Sequence, residues 1–176
     1  QYGELLAAWT DDQLLRLPDR LHYQDPDLQV ANHNGEIATT ALEKIRSIIR
    51  QQSIKDQVID RWFGQYITEP PAGQHPYEAG THLNLEQFQS SLSKYGELWR
   101  CEYSRFAFIQ NNDTVLLYVD GQEFELGAEY AQLVALLCDQ RRYQLEELLQ
   151  QSSNKVAFDL LTSLYNMGAL EFPDDA

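Results

Sequence analysis

One stretch divides the chain: TEPPAGQHPYEAGTH, residues 68–82, with Pro70, Pro71, Gly73, Pro76 and Gly80. So many breakers stop both helices and strands. Before this stretch the apolar residues recur with helical period. After it they first alternate, as strands do, and then return to helical spacing. A single bundle or a single sheet cannot follow from that change of period. The pattern predicts an α+β chain, with an N-terminal helical bundle over 1–70, a linker over 71–82 and a winged-helix-like domain over 83–176.

In the first part, GELLAAWTDDQLLRL places Leu5, Leu6, Trp9, Leu14, Leu15 and Leu17 at helical spacing. Thr10 and Asp11 can cap a new turn, so the segment fits one helix or two, ended by Pro18. ATTALEKIRSIIRQQ carries Leu42, Ile45, Ile48 and Ile49 on one stripe and Glu43, Lys44, Arg46 and Arg50 on the other face. SIKDQVIDRWFGQYI carries Val58, Ile59, Trp62, Phe63, Tyr66 and Ile67, with Ser53 as N-cap and Asp56 three residues on. These stripes are wide for so small a unit, so part of that surface should be buried against another domain or a second copy.

In the second part, NLEQFQSSLSKY is a short helix with Asn84 and Gln87 in capping-box positions. ELWRCEYSRFAFIQNN sets Trp99, Cys101 and Tyr103 against Arg100, Glu102 and Ser104, a strand alternation. DTVLLYVDGQEFEL reads as a hairpin turning at Asp120-Gly121. Three helices follow, AEYAQLVALLCD, QLEELLQQ and NKVAFDLLTSLYNMG, the last capped by Asn154 and stopped by Gly168. ALEF closes as a short strand.

Candidate chemistry is sparse. LHYQDPDLQ holds His22, Asp25 and Asp27 within six residues, which raises a metal site. Asp before Pro, however, is pushed out of helical geometry and an Asx side chain bonds its own downstream backbone, so a structural turn is the better reading. His33, His75 and His82 complete the histidines, and none forms His-x-Asp or a helical His pair. Glu146 and Glu147 sit on a solvated helix face. No residue is assigned a catalytic or metal role. Cys101, in the strand, and Cys138, at a helix end, read as buried reduced thiols of a cytoplasmic protein. No apolar run approaches the roughly 18 residues of a membrane span.

The net charge of −14 falls unevenly: 7 basic and 11 acidic residues up to Pro76, 6 and 16 beyond it. Polyanion binding needs clustered Lys and Arg, which neither half has, so the balance argues against nucleic acid and anionic membrane. A helix-turn-helix order invites a DNA-binding regulator, a free-standing winged-helix module, as the alternative. The last helix offers Asn154 and Lys155 but also Asp159 and no arginine, and Asp139, Glu146 and Glu147 surround Arg141 and Arg142.

ELLAAWTDDQLLRLPDRLHYQDPD, ALEKIRSIIR and RWFGQYITEPP resemble the region after the catalytic barrel of bacterial ribosomal oxygenases. These are JmjC/cupin-type arginine hydroxylases that act on a large-subunit ribosomal protein. Tyr23-x-Asp25-Pro26-Asp27 and Trp62-Phe63-Gly64 with the following Pro-rich stretch carry the likeness best. YVDGQEFEL resembles that family's wing hairpin, and LLTSLYNMGALEF its closing helix and strand. The resemblance implies a homodimer through the helical domain, a ribosomal protein substrate, and Fe(II) with 2-oxoglutarate held in a catalytic barrel absent from this sequence. It places HYQDPD in a turn away from the iron ligands. The chain begins at Gln1 and its single Met is Met167, so it reads as a processed product or a piece of a longer protein. Core and dimer interface are expected at Leu5, Leu6, Trp9, Ile45, Ile49, Trp62 and Phe63.

Overall fold

TVLLYV, residues 114–119, is apolar at nearly every position, and a strand of that kind is built to be covered on both faces. In the computed structural model this is β3 (Thr114–Val119), the middle strand of an antiparallel sheet ordered β2-β3-β4, with β2 at Phe106–Gln110 and β4 at Gln122–Gly127. Every residue of β3 after Thr114 is buried. Val119 pairs with Gln122, so the hairpin closes through Asp120 and Gly121, whose φ values are +49° and +82°. Two successive positive φ values give the turn whose twist matches the strands, and Asp-Gly supplies them at low cost.

The structure describes residues 2–16, 42–43, 46, 56–70, 82–151 and 154–173. By contacts the chain forms two units, Gln1–Val58 and Ile59–Ala176. In the first, α1 (Tyr2–Leu15) is one helix, not two. Thr10 does not cap a new turn. Its hydroxyl donates to the Leu6 carbonyl at 2.7 Å, and Asp12 pairs with Arg16 one turn on. Leu42, Glu43 and Arg46 are helical, and the rest of that expected helix lies outside the described residues.

The second unit begins within α2 (Asp56–Thr68) and continues through α3 (Leu85–Tyr95), β1 (Glu97–Arg100), the β2-β3-β4 sheet, a 3₁₀ turn at Ala128–Tyr130, α4 (Ala131–Asp139), β5 (Arg142–Gln144), α5 (Leu145–Gln151), α6 (Lys155–Asn166) and β6 (Leu170–Glu171). β1 is the centre of a second antiparallel sheet, β5-β1-β6. Asn84 and Gln87 form the reciprocal capping box at 2.9 and 3.0 Å, and Gly96 ends α3 at φ +75°. Asn154 accepts from the Ala157 N–H at 3.1 Å and donates to the Tyr130 hydroxyl at 2.7 Å, which fastens the start of α6 to the turn before α4. Gly168 at φ +79° stops α6.

The core gathers Phe88 and Leu92 of α3, Leu98 of β1, Val115, Leu117 and Val119 of β3, Leu133 and Leu137 of α4, and Leu161 and Leu164 of α6. Each such side chain contributes about 1.5–3 kcal/mol by leaving water. Tyr95, Phe88, Tyr165 and Phe172 add a cluster of rings 5.0–5.8 Å apart.

Two expectations are corrected here. The alternating stretch 97–112 is not one strand. β1 ends at Arg100, the chain turns over 101–105, and β2 joins the other sheet. Cys101 lies just beyond β1, its N–H donating to the Ala169 carbonyl. Leu98 is the core residue, while Trp99 lies on the outer face with the Arg142 guanidinium 4.4 Å above its ring. Arg142 in turn belongs to a strand where a turn was expected. β5 places Tyr143 opposite Leu98, fully buried, its hydroxyl donating to the carbonyls of Leu137 at 2.8 Å and Gln140 at 2.9 Å. A three-residue strand is too short to register as a periodicity; it exists because β1 offers it an edge. Burial pushes ionisation of the Tyr143 phenol well above its ordinary range.

Candidate interaction surface

The face of the β2-β3-β4 sheet away from the core carries Ala107, Ile109, Leu116, Tyr118, Glu123 and Glu125, because the register pairs Ala107 with Tyr118, Ile109 with Leu116, Tyr118 with Glu123 and Leu116 with Glu125. α2 lies against this face. Gly64 makes the approach possible: a Cβ there would sit 2.4 Å from Cε2 of Tyr118. Glu123 and Glu125 are two apart on β4 and so point the same way. Arg61 bridges both. One guanidinium nitrogen meets Glu123, and the other meets Glu125 at 2.6 Å. The hydrogen bond that Arg61 donates to Glu125, with the nearby Glu123 charge, raises the Arg61 pKa against the opposing effect of burial. Tyr118, fully buried here, also has its phenol pushed up, chiefly by burial and then by the Glu123 charge.

The C-terminal end of α2 is tied to two loops. The Gly121 N–H donates to Thr68 Oγ1 at 3.1 Å. The Arg105 guanidinium donates to the Glu69 carbonyl at 3.1 Å, and the Arg105 N–H donates to Asp120 Oδ1 at 2.8 Å. Beside these bonds Tyr66, Ile67, Glu69, Pro70 and Arg105 line an open cleft of about 580 Å³.

Docking through Arg61, Gly64 and Thr68 leaves the apolar residues of α2 on its other side. Ile59, Phe63, Tyr66 and Ile67 recur at i, i+4, i+7 and i+8, a stripe at helical spacing, and each is 36–42 % exposed. Trp62 stands at the boundary: it is 8 % exposed and stacks on Tyr66 with centroids 5.0 Å apart. Thus Trp62 and Phe63, grouped together on sequence, have different surroundings. In α1, Leu5 and Trp9 are half-buried, Leu6 is 63 % exposed, and no residue is fully buried. Ile45 and Ile49 lie outside the described residues, as do His22, Asp25, Asp27, His33 and His75.

Such a stripe can bind an apolar face. It holds no nucleophile with a base and no converging ligand set. Among the described residues no three His, Cys, Asp or Glu are placed to hold a metal ion, and no helix is long and apolar enough to cross a membrane. Sequence reasoning missed the inward face of α2. Its signals were Gly64 in a helix interior, which calls for a packing reason, and the doubly apolar β3 that needed a second cover.

No curated protein matches the chain in sequence. Solved structures do match it in fold. The ribosomal oxygenase YcfD from Escherichia coli superposes with a TM-score of 0.62 at 19% identity, over 98% of this chain and 46% of that one. A second structure of E. coli YcfD gives 0.64, also at 19%, over 98% and 45%. A complex of that oxygenase with cobalt and 2-oxoglutarate gives 0.61 over 98% and 46%, at the same identity. The chain therefore spans less than half the length of these proteins. The likeness is one of fold, shared over nearly the whole of this chain. A family model described as a ROXA-like winged helix matches residues 48–171, well over half of the sequence, and the chain belongs to that family.

Proposed function

We propose that the chain is the non-catalytic C-terminal part of an Fe(II)/2-oxoglutarate-dependent hydroxylase of a ribosomal protein, and that it supplies homodimerisation and a winged-helix module. The observation that carries this reading is the agreement in fold over 98% of this chain with under half of a ribosomal oxygenase. Iron and 2-oxoglutarate are assigned to the portion of the longer proteins that this sequence does not cover. The described residues offer no ligand set that fits a metal. The apolar stripe of α2 is the surface assigned to self-association. A basic ribosomal substrate would be attracted by the charge of −14, through rate of encounter more than through affinity.

The test has two arms. Light scattering of this chain at micromolar concentration should give twice its 20.4 kDa, and F63D with I67D should return it to 20.4 kDa. A monomeric parent chain sinks the dimer. Separately, a longer protein containing this chain, supplied with Fe(II) and 2-oxoglutarate, should add one oxygen atom to a ribosomal protein, and this chain alone should add none. No oxygen transfer by the longer protein sinks the oxygenase reading.

A further inference from the structure

We draw no further inference here: the strongest candidate, the open cleft at the C-terminal end of α2 lined by Tyr66, Ile67, Glu69, Pro70 and Arg105, shares Tyr66 and Ile67 with the apolar stripe already described, and nothing in the structure shows what covers it.

Discussion

Gly64 offers the sharpest test of how α2 sits on the wing. An alanine at this position would place its Cβ 2.4, 2.5 and 2.6 Å from Cε2, Cζ and Cδ2 of Tyr118. Carbon atoms prefer about 3.5–4.0 Å, so the overlap exceeds 1 Å. Tyr118 is fully buried and paired with Ala107 and Glu123 across the sheet, so the ring cannot swing away and α2 must lift instead. Overpacking of this kind costs about 1–3 kcal/mol. Against it stands the helix-propensity gain of Ala over Gly, about 1 kcal/mol. The overlap is large and lifting also stretches the Arg61 ion pairs, so the upper part of the cost applies and G64A should lose about 1–2 kcal/mol net. Urea unfolding followed by tryptophan fluorescence measures it, with Trp62 as a reporter on α2 itself. A cycle with Y118L identifies the cause: in that smaller background G64A should be neutral or stabilising, a coupling of at least about 1 kcal/mol. If G64A alone stabilises the chain by about 1 kcal/mol, as at an exposed helical glycine, the close approach of α2 to β3 is refuted.

Three further outcomes follow from contacts in the winged-helix unit. Y143F removes a hydroxyl that serves the Leu137 and Gln140 carbonyls from a fully buried position and should cost about 1–2 kcal/mol in the same urea assay. N84A breaks the capping box and should cost about 1 kcal/mol, with α3 amides the first to gain exchange. Burial pushes the Cys138 thiol up to about 11, with Arg100 acting weakly the other way. The unfolded thiol ionises first, so the Cys138 contribution to stability is intact below its unfolded pKa of about 8.5 and is lost as pH rises toward 11. C138A should flatten that alkaline decline in stability measured against pH, and Cys138 in the native chain should react with iodoacetamide far more slowly at pH 8 than in urea.

Features specified by near neighbours were legible in the sequence. Asn84 with Gln87, Asn154, Asp120-Gly121 and Gly168 each act over a few residues, and each forms the expected cap or turn. Features created by tertiary partners were not. β5 is a strand because β1 lies beside it, and the alternation from Trp99 to Tyr103 breaks because β1 and β2 serve different sheets. The face of α2 was the hardest to read. The spacing of Ile59, Phe63, Tyr66 and Ile67 marks a stripe without saying what covers it, and the structure leaves that stripe exposed. Local pattern identifies an amphipathic helix but does not say which of its faces the neighbouring sheet will take.

That choice follows from what β3 requires. With Val115, Leu117 and Val119 committed to the core, Leu116 and Tyr118 need a second layer. Tyr118 is large and fills the space above the strand, so a covering helix can come close only where it has no side chain, and Gly64 is that place. The glutamates that flank Tyr118 and Leu116 on β4 then demand a cation from the helix, and Arg61 stands one turn from the glycine to supply it. Once the inward positions are taken by a glycine, an arginine and a threonine, Ile59, Phe63, Tyr66 and Ile67 are left to the outer side, while Trp62 is buried. The wing hairpin therefore does more than complete a winged helix: it fixes the orientation of α2 and so leaves the stripe of Ile59, Phe63, Tyr66 and Ile67 exposed and not spent on the interior of this unit.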